Sequence, residues 1–175
     1  MNARKFWSRI LIIVGSIGML VGAIDPMEGS VVILPGSGLV ALGAFVGQSE
    51  GRLIAYLVWI FILIAIGVGA LWGLSAVGGF GGPTGRSNWW GVLMLPYVIG
   101  WSMGIWGPGS PRWVLWLGIG VGVWYLTILV MVLKGLAPED WVRESNLPAI
   151  VVAAVGVLTI LGCINRLRKR ISIQQ

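Results

Sequence analysis

The chain contains no histidine and one cysteine, Cys163. The commonest proton shuttle is therefore missing, and neither an intramolecular disulfide nor a cysteine-based metal site can form. Its six acids are Asp25, Glu28, Glu50, Glu139, Asp140 and Glu144. None of them, and no Lys or Arg, lies deep within an apolar run, where pumps, proton-coupled transporters and voltage sensors place their ionisable groups. The hydroxyls of Ser37 and Ser102 have no evident base to activate them. The expectation is no catalysis, no cofactor and no metal. Cys163 reads as a small apolar packing residue.

Two groups of acids have local explanations. Asp25-Pro26-Met27-Glu28 has the spacing of a capping box, with Asp25 as the cap, Pro26 in the first turn and Glu28 three residues after the cap. Both acids then complement the positive end of the helix dipole. A cation site at Asp25 and Glu28 is the weaker reading, because capping requires no ligand. Glu139, Asp140 and Glu144 read as a solvated loop, with Pro138-Glu139-Asp140-Trp141 starting a short interfacial helix.

The stretch that offers most to a ligand is Pro35-Gly36-Ser37-Gly38, inside an otherwise apolar run. It begins about 13 Å along a helix that starts at Pro26, near the middle of a bilayer. Proline removes a backbone donor and glycine loosens the next turn. A discontinuous helix at that depth can expose backbone groups to a solute. A proline kink packed against neighbouring helices is the favoured reading of this break. A solute site or hinge here comprises Pro35, Gly36, Ser37 and Gly38, with Pro96 and Ser102 facing them.

The elements that position these residues follow from composition. Hydrophobic residues make up 57% of the chain and charged residues 10%, with a mean hydropathy of +0.93. A soluble domain carries about a quarter charged residues. Uncharged runs cover 10–24, 29–49, 53–85, 87–111, 113–133 and 145–165. About 20 apolar residues cross a hydrocarbon core as a helix, and lipid demands that backbone groups be satisfied internally. The predicted fold is an all-α polytopic transmembrane bundle. It forms a single integral membrane domain over 1–175, with segments near 6–24, 26–47, 53–76, 89–106, 113–134 and 148–165.

Orientation follows from the cations. With the N-terminus in the cytoplasm, the inner side carries Arg4, Lys5, Arg9, Arg52, Arg112, Arg166, Arg168, Lys169 and Arg170. The outer side carries only Arg86, Lys134 and Arg143. This bias places both termini in the cytoplasm. If segments 2 and 4 are re-entrant, Arg52 and Arg86 exchange sides and the balance is unchanged. Charge does not separate six crossings from four, and length favours six. The basic start followed by an apolar run also has signal-peptide form, with Val21-Gly22-Ala23 as a cleavage site. The expectation is that residues 1–23 are retained.

Trp7, Trp72, Trp89, Trp90, Trp106, Trp113 and Trp116 lie near segment ends, at headgroup level. Trp59, Trp101 and Trp124 lie deeper and read as packing or lipid contacts. Ser87 and Ser110-Pro111 read as helix starts. Gly78-Gly79-Phe80-Gly81-Gly82-Pro83 is a turn; it lacks the Lys-Ser/Thr ending of a phosphate-binding loop. Five segments contain a Gly-x-x-x-Gly pair: Gly18/Gly22, Gly43/Gly47, Gly69/Gly73, Gly100/Gly104 and Gly118/Gly122. Such pairs allow close helix approach.

The basic residues beside apolar runs point to anionic lipid headgroups, not nucleic acid. The function expected is a non-catalytic accessory or structural subunit, acting through helix contacts in a larger membrane complex or a homo-oligomer. A small channel or transporter for a neutral or weakly charged solute, using the Pro35 site, is the alternative. The short loops and cytoplasmic termini match a bacterial inner membrane.

Overall fold

The computed structural model describes residues 3–22, 28–79, 88–108, 110, 112–136 and 147–172. Their regular structure is helical throughout. The α-helices are α1 (Ala3–Val21), α2 (Ser30–Val46), α3 (Gly51–Ala76), α4 (Leu95–Ile105), α5 (Arg112–Leu133) and α6 (Leu147–Ser172). A 3-10 run, Asn88–Met94, precedes α4. Among the described residues, three stretches are long and apolar enough to cross a membrane: Gly51–Ala76, Arg112–Leu133 and Ile150–Lys169. Their length and composition support an integral membrane protein.

Several element boundaries differ from those expected. The helix expected from Pro26 starts at Ser30, with Gly29 as its N-cap and no side-chain cap. Asp25 and Pro26 lie outside the described residues. Glu28 precedes the helix, and its carbonyl accepts from Val31 N at 3.2 Å. The segment expected over 89–106 divides at Pro96, which occupies the first turn of α4. Proline lacks a donor that the first turn does not need, but its ring disturbs the backbone before it. A 3-10 run therefore leads into an 11-residue α-helix. In contrast, α6 continues past residue 165 to Ser172. Its last turns are rich in Arg and Lys, good helix formers that also complement the negative end of the helix dipole.

The expected loops fall mostly outside the described residues. Gly78 and Gly79 have φ of +88° and +82°, as a turn after α3 requires. Residues 80–87, 109, 111 and 137–146 are not described, so the starts expected at Ser87 and Pro111 and the short helix at Pro138 lie outside. The charged residues Arg86, Glu139, Asp140, Arg143 and Glu144 lie there too.

The chain divides into two compact units. The first comprises Met1–Ser75 and Leu93–Pro108, and so holds α1 to α4. Its α1 and α2 form an antiparallel hairpin along a seam of small residues. A methyl carbon placed on Gly36 would lie 2.9 Å from Gly15 O, and one on Gly22 would lie 2.6 Å from Gly29 O. One on Gly43 would lie 2.9 Å from Ser8 O. The pairs are thus Ser8 with Gly43, Gly15 with Gly36, and Gly22 with Gly29. Along each helix these residues recur every seventh position, the repeat that keeps one face on a partner with left-handed supercoiling.

In the same unit, α3 and α4 also run antiparallel at close range. A methyl carbon on Gly67 would overlap the Tyr97 backbone, with Cα at 2.6 Å. On Gly100 it would lie 2.9 Å from Leu63 Cβ and 3.1 Å from Ile60 O. Met19, Ile33, Ile60, Ile64, Val68 and Tyr97 form the core of this unit.

The second unit comprises Ala76–Val92 and Gly109–Gln175, and its α5 and α6 form another close hairpin. Here a methyl carbon on Gly122 would lie 2.8 Å from Gly156 O, and one on Gly156 would lie 2.9 Å from Gly122 O. Leu115 and Cys163 are fully buried in this unit, Cys163 on the buried side of α6.

Gly36→Ala is expected to destabilise the protein by about 1–3 kcal/mol, as overpacking against a rigid neighbour does. Gly73, on α3, has open space around it, so Gly73→Ala should be neutral or stabilising by up to about 1 kcal/mol. Unfolding of both purified variants in mixed detergent micelles checks the contrast.

Candidate functional site

The sequence pointed to Pro35–Gly38, and the structure runs straight through it. The helix α2 is continuous from Ser30 to Val46, with Pro35 inside it. Pro35 cannot donate to the carbonyl one turn back, so the ladder is short of one bond. Ser37 Oγ donates to Leu34 O at 2.8 Å, and Gly36 and Ser37 are both buried. The nearest groups to a methyl carbon on Gly36 belong to Gly15 and Met19 of α1. Gly38 faces the Phe61 ring of α3, 3.3 Å from such a carbon. The stretch is thus a packed part of the hairpin, and the need for close approach explains the glycine at Gly36.

The other candidate residues fall on α4. Pro96 occupies its first turn. Ser102 lies near its C-terminal end, and its buried Oγ has no hydrogen-bond partner among the described residues. The same is true of Trp106 Nε1, one helical turn further on. A buried donor without a partner costs roughly 1–3 kcal/mol, so this turn of α4 is a locally costly place. Trp106 packs edge-on against Trp101, with centroids 5.3 Å apart.

A second set of residues, invisible from sequence spacing alone, is more organised. Helices end with carbonyls that have no donor within the helix, and lipid supplies none. In the first unit these carbonyls receive side chains from neighbouring helices. Trp101 Nε1 of α4 donates to Met19 O, in the last turn of α1, at 2.9 Å. Arg4 Nε of α1 donates to Val46 O, the last residue of α2, at 2.6 Å. Ser8 Oγ donates at 2.7 Å to Gly43 O, adding a second bond to a carbonyl that already accepts from Gly47 N at 2.9 Å. Tyr56 OH of α3 donates to Met103 O, near the end of α4, at 2.8 Å. One further bond joins α3 to the start of α2, from Trp72 Nε1 to Ser30 Oγ at 2.9 Å.

The Arg4 clamp has a second part. Gln48 follows α2 with φ of +53°, a left-handed conformation that favours glycine and, less often, asparagine. With its amide oxygen turned to the guanidinium, Gln48 accepts from Arg4 at 3.0 and 3.3 Å. Ser49 N reaches back to Ala44 O at 3.1 Å, completing the helix stop. Arg4 therefore fixes both the last carbonyl of α2 and the residue that turns the chain.

The tryptophans expected at segment ends divide by environment. Trp7, Trp72, Trp90, Trp113 and Trp116 are exposed, as are the deeper Trp59 and Trp124. Trp101 and Trp106 instead turn into the first unit, the first as a clamp and the second as a buried ring. The glycine pairs divide too, since Gly69 and Gly73 face open space while Gly43 and Gly100 face helix neighbours.

Among the described residues, no three Cys, Asp or Glu side chains gather as a metal site would require. No protein-family model, curated protein or solved structure matches the chain.

Replacing Trp101 by Phe keeps the ring and removes the donor to Met19 O. The expected loss is about 0.6–2 kcal/mol, the range of interhelical hydrogen bonds in membranes. Trp59→Phe, on an exposed face, should leave stability unchanged, and the two are compared by thermal unfolding in the same detergent.

Proposed function

We propose that the chain is a small integral membrane protein that acts without catalysis, as an accessory or structural subunit working through helix contacts. In this reading it crosses a bacterial inner membrane six times, with both termini in the cytoplasm. The basic residues of the first unit support the orientation. Arg4, Lys5 and Arg9 start α1, and Arg52 starts α3 beside the end of α2. The Arg4–Val46 bond brings these elements to one end. Such a concentration of Lys and Arg marks the cytoplasmic side.

The observation that carries the functional reading is how the polar groups of the first unit are used. Its clamps join helix to helix, and its glycines bring backbones together. What faces outward on the membrane helices is broad and apolar. Trp113, Trp116, Leu117 and Trp124 are exposed on α5 at spacings that place them on one side of a helix. A protein that works through its helix faces needs this arrangement. Its partners in this reading are lipids, including anionic headgroups, and a larger membrane complex or further copies of itself.

The second reading, a channel or transporter for a neutral or weakly charged solute, keeps one supporting observation. Ser102 Oγ and Trp106 Nε1 are buried donors with no partner, and a solute oxygen would satisfy them. Ser102→Ala separates the readings. Under the subunit reading it removes an unmet donor, leaving assembly intact and stability unchanged or raised by up to about 1 kcal/mol. Under the transport reading it lowers solute flux in proteoliposomes.

Mild extraction through a C-terminal tag, followed by measurement of particle mass and composition, tests the leading reading. The expected particle exceeds one chain and holds a stoichiometric companion or further copies. A lone monomer that supports solute flux overturns it.

A further inference from the structure

The charges of the first unit are unevenly placed. Its described charged residues are Arg4, Lys5, Arg9, Glu28, Glu50 and Arg52. The hairpin geometry sets the start of α1 against the end of α2, through Arg4–Val46 and Ser8–Gly43. A short turn then leads from α2 into α3, whose first backbone bond, from Leu53 N to Glu50 O, spans 2.9 Å. Arg4, Lys5, Arg9, Glu50 and Arg52 therefore share one end, and Glu28 is at the other end of α2. The shared end carries four cations and one acid.

The same end presents aromatic rings outward. Phe6 is 44% exposed, Trp7 58% and Phe45 66%. Phe6 and Trp7 meet edge-on, with centroids 6.0 Å apart and planes at 74°. Lys5 and Arg9 stand one turn apart on the same side of α1, and both are exposed, as is Arg52. Exposed aromatic rings beside exposed cations, at the end of apolar helices, are the chemistry of a headgroup layer. A soluble acidic partner would satisfy the cations but leave the rings in water.

We propose that this end of the first unit is a docking surface for anionic phospholipid, with Lys5, Arg9 and Arg52 holding headgroup phosphates and Phe6, Trp7 and Phe45 seated beside the glycerol linkages and the first acyl-chain carbons. This rests on the membrane reading above and adds to it a particular surface. Arg4 stands apart, because its guanidinium is held by Val46 O and Gln48. It braces the surface from within, and Lys5, Arg9 and Arg52 make the lipid contacts.

The test uses the full chain in mild detergent, with phosphatidylglycerol and phosphatidylcholine added in turn and bound lipid counted by native mass spectrometry. Wild-type protein should prefer phosphatidylglycerol, and the preference should weaken with salt. The triple variant K5Q/R9Q/R52Q should lose about a hundredfold of that preference, three cations at roughly 1 kcal/mol each. The comparison variant R166Q/R168Q/K169Q changes as many cations on α6, where no aromatic ring stands beside them, and should lose distinctly less of it. Unfolding curves establish that each variant is folded. Wild-type protein without a preference, an unchanged triple variant, or an equal loss in the comparison variant overturns the proposal. Carbonate washing of native membranes tests the underlying reading separately. A chain retained there but indifferent to headgroup charge defeats this inference alone, whereas a chain released by the wash defeats the membrane reading.

Discussion

An α-helix ends with carbonyls that its own backbone does not satisfy, and a donor from a neighbouring helix satisfies such a group while tying the two helices together. Much of the first unit is organised around that constraint. Trp101 closes the end of α1, Arg4 and Ser8 close the end of α2, and Tyr56 closes the end of α4. Each donor comes from a different helix than the one it closes. Every such bond therefore fixes where one helix stands relative to its neighbour, although Ser8 adds its bond to a carbonyl that Gly47 N already fills.

Close approach makes these bonds possible. Between helices in lipid there is little hydrophobic driving force, so association depends on packing and hydrogen bonding. The seam of Ser8, Gly15 and Gly22 against Gly43, Gly36 and Gly29 places backbone against backbone. Short side chains such as Ser8 can then reach the carbonyls opposite. Glycine costs helix stability in isolation, and the cost is offset where its missing side chain admits a neighbour. At Gly69 and Gly73, where nothing lies within reach, the structure supplies no such offset. On α5 and α6, Gly122 and Gly156 repeat the close contact in the second unit.

The all-helical class and the apolar runs were legible from charge spacing, because exclusion of charge from hydrocarbon is a strong and local signal. Glycine pairs at four-residue spacing marked close packing at Gly43, Gly100 and Gly122 but not at Gly69 and Gly73, and they hid the better signal. The seam repeats every seven residues, and Gly15, Gly29 and Gly36 belong to no pair of the shorter kind. The start of α2 at Ser30 instead of Pro26 was not legible, since a favourable capping sequence is only a preference. Pro96 was read as an interior residue because composition does not reveal where a 3-10 run gives way to an α-helix. Of the candidate site, Ser102 retained chemical interest through its unpaired hydroxyl. Gly36 proved to be a packing position. The clamps Arg4, Trp101 and Tyr56 join residues distant in sequence, so no local pattern marks them.

The account depends most on the antiparallel α1–α2 hairpin and its register. A methyl carbon on Gly47 would lie 3.2 Å from Ser8 Cβ, close to the separation of roughly 3.5–4.5 Å that a disulfide spans. The direct measurement is oxidation of the full chain carrying Ser8→Cys and Gly47→Cys, with Cys163→Ala, in native membranes, read by loss of maleimide labelling on denaturing gels. The account predicts an efficient cross-link within one chain, and none when the second cysteine is moved to Leu42 on the exposed side of α2. Free thiols at Ser8→Cys and Gly47→Cys after oxidation, or equal cross-linking from Leu42→Cys, would contradict the hairpin and the clamps that depend on it.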